Sequence, residues 1–231
     1  MNILKWLDYL YPPRCPVCEK ISAGGICPEC RKKIQFIQKD YCMKCGKPLD
    51  HAQDEYCRDC RRRRHVFVRN RALLSYRGPV KLSLYQMKYG NRREYAVTYG
   101  REMAKMLGPW IYHTGITRIV PIPLHASRKR KRGYNQAEWI ARAMGKELKL
   151  PVDTRLLYRI RRTKPQKKLD DRQRKQNLKN AFEVRKKIDS RERILLVDDI
   201  YTTGSTVDAA AWCLQNALGC QVYAAVIAIG G

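Results

Sequence analysis

The chain has 231 residues, 44% of them hydrophobic, which suits one well-packed α/β domain with a small appendage and argues against wholesale disorder. Lys and Arg number 48 against 21 Asp and Glu, a formal charge of +27. That balance says nothing about fold but predicts attraction to polyanions such as nucleic acid or polyphosphate, with a merely solvated basic surface as the plainer reading.

In chain order, residues 2–10 predict a short amphipathic helix with Ile3, Leu4, Trp6, Leu7 and Leu10 mostly on one side, stopped by Pro12 and Pro13. Asp8 lies inside this stretch and no long apolar run follows, so it reads as neither a secretory signal nor a membrane span. No other segment reaches the roughly 18 apolar residues a spanning helix needs, and the expected location is the cytoplasm.

Eight of the ten cysteines fall in the first 60 residues as four C-x-x-C pairs. A two-residue gap repeated four times points to metal knuckles rather than a disulfide framework. Cys15, Cys18, Cys27 and Cys30 form one set of four thiolates; Cys42, Cys45, Cys57 and Cys60 form the other. Each set suits a tetrahedral zinc with no open position, hence a structural metal. Sequential pairing closes each site locally, and interleaved pairing also satisfies the spacing. His51 is a spare ligand candidate, while Cys213 and Cys220 read as core residues. Arg61 to Arg64 then serve as a solvated linker or a phosphate-binding strip. The expected division is a zinc-ribbon module over 1–64 and an α/β domain over 65–231.

From there the pattern becomes regular. Residues 65–76 predict a strand or hairpin, 79–88 and 94–113 helices, and 118–123 a short buried strand ended by prolines. A helix follows at 135–150, with Asn135 as its cap and Glu138 at the capping-box offset. Residues 193–199 form an apolar β run, 205–219 a helix closed by Gly219, and 221–230 another buried strand. Strands that are near-continuous apolar runs, alternating with helices, imply a parallel sheet covered on both faces.

The most informative stretch is ILLVDDIYTTGST, residues 194–206. An apolar strand delivers Asp198 and Asp199 to the C-terminal edge of a parallel sheet, where ligands of such folds sit. Thr202, Thr203, Gly204, Ser205 and Thr206 then open directly into a helix, so backbone amides and the helix dipole converge on an anion. The loop is a phosphate cradle, and the two carboxylates suit vicinal sugar hydroxyls. Phosphate beside a diol describes ribose 5-phosphate. A metal site or a plain helix cap would use the same residues.

The string VDDIYTTGST resembles the 5-phosphoribosyl-1-pyrophosphate (PRPP) motif of type I phosphoribosyltransferases. VPIPLHASRKRKRGYNQAEWIARAM (120–144), RRTKPQKKLDDRQRKQNLKNAF (161–182) and QMKYGNRR (86–93) resemble segments of the ComF family of competence proteins. With the cysteines, the resemblance covers essentially the whole chain. It implies a type I phosphoribosyltransferase fold, Asp198 and Asp199 on the ribose hydroxyls as catalytic candidates, and Thr202 to Thr206 on the 5-phosphate. It also implies a cytosolic role in natural transformation beside a ComFA-type helicase-like partner. Lys88, Arg128, Arg130, Arg132, Arg161 and Lys164 are candidates for contact with pyrophosphate or single-stranded DNA, and magnesium is expected to accompany PRPP. Two functions stay open. One is a binding protein in DNA uptake with a PRPP-type pocket; the other is an active transferase with an unidentified acceptor and no direct DNA role.

Overall fold

The computed structural model describes residues 12–23, 25–161 and 181–230. The predicted helix at 2–10 and Lys164, with most of its basic segment, lie outside the described residues. Among the described residues the chain begins with two short helices, α1 (Pro28–Lys33) and α2 (Arg58–Arg62). It continues as β1 (Asn70–Ser75), α3 (Pro79–Tyr89), α4 (Arg93–His113), β2 (Arg118–Pro121), α5 (Ala126–Arg132) and α6 (Gln136–Leu148). A small pair, β3 (Leu157–Arg159) and β4 (Phe182–Val184), precedes β5 (Arg193–Tyr201), α7 (Ser205–Leu218) and β6 (Gln221–Ile229).

Four strands form one sheet in the order β1-β6-β5-β2, every pairing parallel. The expected layering follows from the alternation of side chains along each strand. Leu195 and Val197 of β5, with Tyr223, Ala225 and Ile227 of β6, join the core shared with α4 and α6. Ile194, Leu196, Val222, Ala224 and Val226 join the opposite core with α7. Both faces are dry, which is why these strands read as unbroken apolar runs. No helix among the described residues is long and apolar enough to cross a membrane.

The cysteine-rich region packs on this sheet instead of standing apart. Its segment around Phe36 bridges Leu74 antiparallel, with the Ile37 amide donating to the Leu73 carbonyl at 3.0 Å and the Ser75 amide to the Gln35 carbonyl at 3.0 Å. Cys15, Ile26, Cys30 and Ile34 enter one core, and Ile37, Cys42, Cys45 and Cys57 enter the other. Arg71 is buried in β1 at the seam, its guanidinium 3.8 Å from the centre of the Tyr41 ring and donating to the Tyr41 hydroxyl at 2.6 Å.

Three expectations change in detail. The 65–76 region is a single strand from Asn70, not a hairpin, because His65 and Val66 are tied to Asp208 of α7. The helix expected over 135–150 stops at Leu148, where Lys149 adopts a left-handed φ of 54° and ends it. Asn135 caps that helix by accepting from the Ala137 amide at 3.2 Å, but Glu138 does not reach back to the cap; it accepts from Arg142 at 2.8 Å one turn on.

Candidate functional site

Strand β5 is central in the sheet, and its apolar run Ile194–Val197 is fully buried. The two residues that follow emerge at the C-terminal edge, where parallel strands leave a crevice. Asp199 is 5% exposed and its oxygens are occupied. Lys88, from the last turn of α3, places Nζ 3.0 Å from Oδ1, and Gln136, at the start of α6, donates from Nε2 to Oδ2. Gln136 in turn accepts from Arg132 Nη1 at 2.7 Å, and the Arg132 guanidinium lies 5.1 Å from the centre of the Tyr89 ring. Asn135 Nδ2 donates to the Ile122 carbonyl at 3.1 Å and Tyr134 donates to the Met87 carbonyl, locking the α5–α6 turn onto β2 and α3. Segments 86–93, 132–136 and 198–199, far apart in sequence, thus meet at one point.

Asp198 is the more open of the two acids. Its Oδ1 accepts from the Asp199 amide at 2.8 Å. Burial, with the adjacent Asp199 charge second, pushes its carboxyl up to about 7 against the opposing pull of that amide, Lys88 and Arg159. The sequence alone has both acids facing a ligand alike. In the structure the two differ: Asp199 is buried and held by Lys88 and Gln136, while Asp198 is only partly buried.

The loop after β5 turns on Gly204, which has φ 76° as the residue before α7. A Cβ there would run into the Tyr201 hydroxyl, so both conformation and space require glycine. Thr203 Oγ1 and Ser205 Oγ lie 2.7 Å apart; Thr202 is exposed, Thr203, Ser205 and Thr206 are partly buried. Tyr201 is buried edge-on against Phe67 at 6.2 Å and near His65 at 6.4 Å. Burial pushes its phenol far above the ordinary range. That aromatic cluster lies in the same core as Cys42, Cys45 and Cys57, so the loop rests on the second cysteine set. Asp208, in the first turn of α7, ties the loop's helix to the chain entering β1 through the Val66 amide at 2.9 Å and His65 Nδ1 at 2.7 Å.

Of the basic candidates, Arg128 and Arg130 project from α5 into solvent, as does Arg161 after β3, while Arg132 is partly buried on Gln136. Lys88 turns inward onto Asp199. Sequence reasoning misses Gln136 as a carboxylate partner, although it stands in the R-G-Y-N-Q string, and misses Arg159, whose charge bears on Asp198.

The eight clustered cysteines resolve sequentially. Cys15, Cys18, Cys27 and Cys30 bring their sulfurs within 4.8 Å of one another, as do Cys42, Cys45, Cys57 and Cys60. Two sulfur–sulfur edges, 3.7 Å for Cys18–Cys27 and 3.6 Å for Cys45–Cys57, match the ~3.8 Å that four Zn–S bonds of about 2.3 Å impose on a tetrahedron. Four thiols this close cannot all ionise unaided: hydrogen bonding with Cys45 holds Cys42 far below the ordinary range, and the same contact drives Cys45 far above it. A divalent cation removes the conflict by taking four thiolates. Cys220 is buried and Cys213 partly so, and both stand apart from these sets.

Residues 6–61 match the double zinc ribbon domain. The chain is 34% identical over 153 residues to DNA utilization protein YhgH of Escherichia coli K12, covering 64% of this chain and 67% of that one. It is 38% identical over 100 residues to competence protein F of Haemophilus influenzae (42% and 44%), and 30% identical over 147 residues to competence protein ComFC of Bacillus subtilis (63% and 57%). The chain belongs to the ComF family. It spans 63% of the length of the Salmonella typhi protein named YhgH. Among solved structures this ComF chain is similar to adenine phosphoribosyltransferase of Leishmania donovani at 16% identity and a TM-score of 0.36, covering 61% and 55% of the two chains. So distant a likeness decides nothing about chemistry. Among its described residues this ComF chain presents two four-cysteine clusters and an acid-bearing strand end.

Proposed function

We propose that this chain binds PRPP, or a closely related phosphoribosyl ligand, at residues 198–206 and serves in the cytoplasmic handling of single-stranded DNA during uptake. One juxtaposition carries the reading: Asp198 and Asp199 at the end of β5 stand next to the Thr202–Thr206 turn that opens α7, with Lys88, Arg132 and Arg159 gathered around them. The turn and helix N-terminus suit the 5-phosphate, Asp198 suits the ribose hydroxyls, and the basic groups suit the pyrophosphate. Asp199, held by Lys88 and Gln136, fixes the position of Asp198 through their shared peptide.

Asp198 is the hard oxygen donor on which a hydrated magnesium arriving with the ligand would fit, supplying neutralisation of the pyrophosphate charge. The DNA half of the reading rests on the formal charge of +27 and on the names competence protein and DNA utilization protein carried by relatives. The ribbon module suits a docking platform for a helicase-like partner. A second reading, a transferase that turns over PRPP on an unidentified acceptor, is supported by the place of Asp198, partly open at the strand end, where burial pushes its carboxyl up and suits it to proton exchange.

Calorimetric titration of the zinc-loaded protein with PRPP and magnesium is the test. Binding by the wild type and its loss in the Asp198→Asn, Asp199→Asn double variant, with zinc content retained, supports the site. Normal binding by the double variant overturns it. Release of pyrophosphate in the presence of candidate acceptors separates turnover from binding alone.

A further inference from the structure

Helix α3 has two apolar sides. Val80, Leu84 and Met87 are buried against the core, as a surface helix requires. Leu82, Tyr85 and Tyr89, spaced three and four residues apart on another side, are 61%, 58% and 64% exposed. A helix apolar on several sides is ordinarily enclosed, and α3 is not. The Tyr85 and Tyr89 ring centres are 4.9 Å apart at a 46° tilt, and the Arg132 guanidinium sits 5.1 Å from the Tyr89 ring centre. Arg132 ends α5, where Arg128, Lys129, Arg130 and Lys131 are all exposed. Open aromatic rings therefore stand beside the C-terminal end of a basic helix.

We propose that Tyr85 and Tyr89 form a base-stacking step for single-stranded DNA whose phosphates run along α5. Stacked rings tolerate any base, because every base has a π face, and neighbouring arginines hold the backbone. The charge at this place selects a polyanion, and the exposed rings select one that carries unpaired bases. Duplex DNA keeps its bases stacked inside and has nothing to offer the tyrosines. Arg132 links the step to the carboxylates through Gln136, so a strand seated on Tyr89 touches the network that holds Asp199. The inference rests on the single-stranded DNA reading above, and it locates the bases, which net charge alone does not.

The probes are a fluorescent oligo(dT) and an abasic strand of equal length, compared by anisotropy at one fixed salt concentration. The wild type is expected to prefer oligo(dT) by about 10- to 100-fold, the scale of one or two stacked bases. Tyr85→Ala with Tyr89→Ala should erase that preference while leaving abasic binding and the salt slope unchanged. Arg128→Ala with Arg130→Ala should weaken both strands alike and flatten the slope. Equal binding of the two strands by the wild type overturns the stacking step and leaves backbone binding standing. A preference that survives in the tyrosine variant places the bases elsewhere and refutes this assignment. Failure of the wild type to bind either strand removes the DNA reading itself, while PRPP binding remains separately testable. If the tyrosine variant instead changes the particle mass from dimer to monomer, the stripe is a self-association surface and the proposal falls. A Tyr85→Phe, Tyr89→Phe variant, which keeps the rings, should bind as the wild type does.

Discussion

Replacing Asp198 by Asn should make the protein more stable above neutral pH while removing ligand binding. The folded carboxyl is pushed up from 3.8 to about 7, first by burial and then by the charge of Asp199. A shift of about three units at ~1.4 kcal/mol each sets an upper bound of about 4 kcal/mol, and water entering an open crevice brings it to roughly 2–4 kcal/mol. The sign follows from proton uptake. Between the two values the folded state holds a proton that the unfolded chain has lost, so this contribution is fully present below about pH 4 and is lost as pH rises to about 7. Asn keeps an oxygen for the Asp199 amide and carries no charge, so its stability should lack this decline. Urea unfolding of both zinc-loaded proteins across this range reads the difference directly. It should be near zero at about pH 4, grow through neutrality and level off beyond, with the variant ahead by roughly 2–4 kcal/mol. A variant that is equally or less stable at about pH 8, or a gap that ignores pH, would refute the reasoning.

Lys88→Met strips Asp199 of its ion-pair partner and should cost about 3–5 kcal/mol, most of it recovered in Lys88→Met with Asp199→Asn; a double variant no better than the single one would show the pair is not coupled. Gly204→Ala forces a side chain into the left-handed region and against Tyr201, so a loss of about 1–3 kcal/mol in urea unfolding should accompany at least a tenfold drop in PRPP affinity by calorimetry. Unchanged affinity there would disqualify the loop as the phosphate cradle. Metal analysis should find two zinc ions per chain. Cys45→Ser should leave one and lower stability by at least about 5 kcal/mol, since that cysteine is part of the core beneath Phe67 and Tyr201. A Cys45→Ser protein that keeps both ions would mean the second set does not bind as a unit.

Local signals reach far in this chain. The apolar run of β5, its two acids, the Thr/Gly turn and α7 lie within a few residues of one another, and their order alone places them at a sheet edge. The cysteine sets likewise sit in short stretches that close on themselves. What stays hidden is contact between distant segments. Gln136 and Asp199 are 63 residues apart, and nothing in either neighbourhood says that one will occupy the other. The inward turn of Lys88 is the same kind of fact: a lysine in a basic string looks solvated until a buried acid is set beside it. Strands β3 and β4, three residues each, are too short to show alternation. Docking of the cysteine region on the sheet is equally illegible, because Ile34, Phe36 and Ile37 carry no periodicity of their own.

That docking bears on how the chain avoids clumping. A parallel sheet ends in rows of unpaired amides and carbonyls that invite a neighbouring molecule to add a strand. Here the stretch from Gln35 to Ile37 lies along the outer side of β1 and takes up part of that row. The cysteine-rich module is therefore a guard rail for the sheet, and a fragment starting after it would expose a sticky border as well as lose both four-cysteine sites.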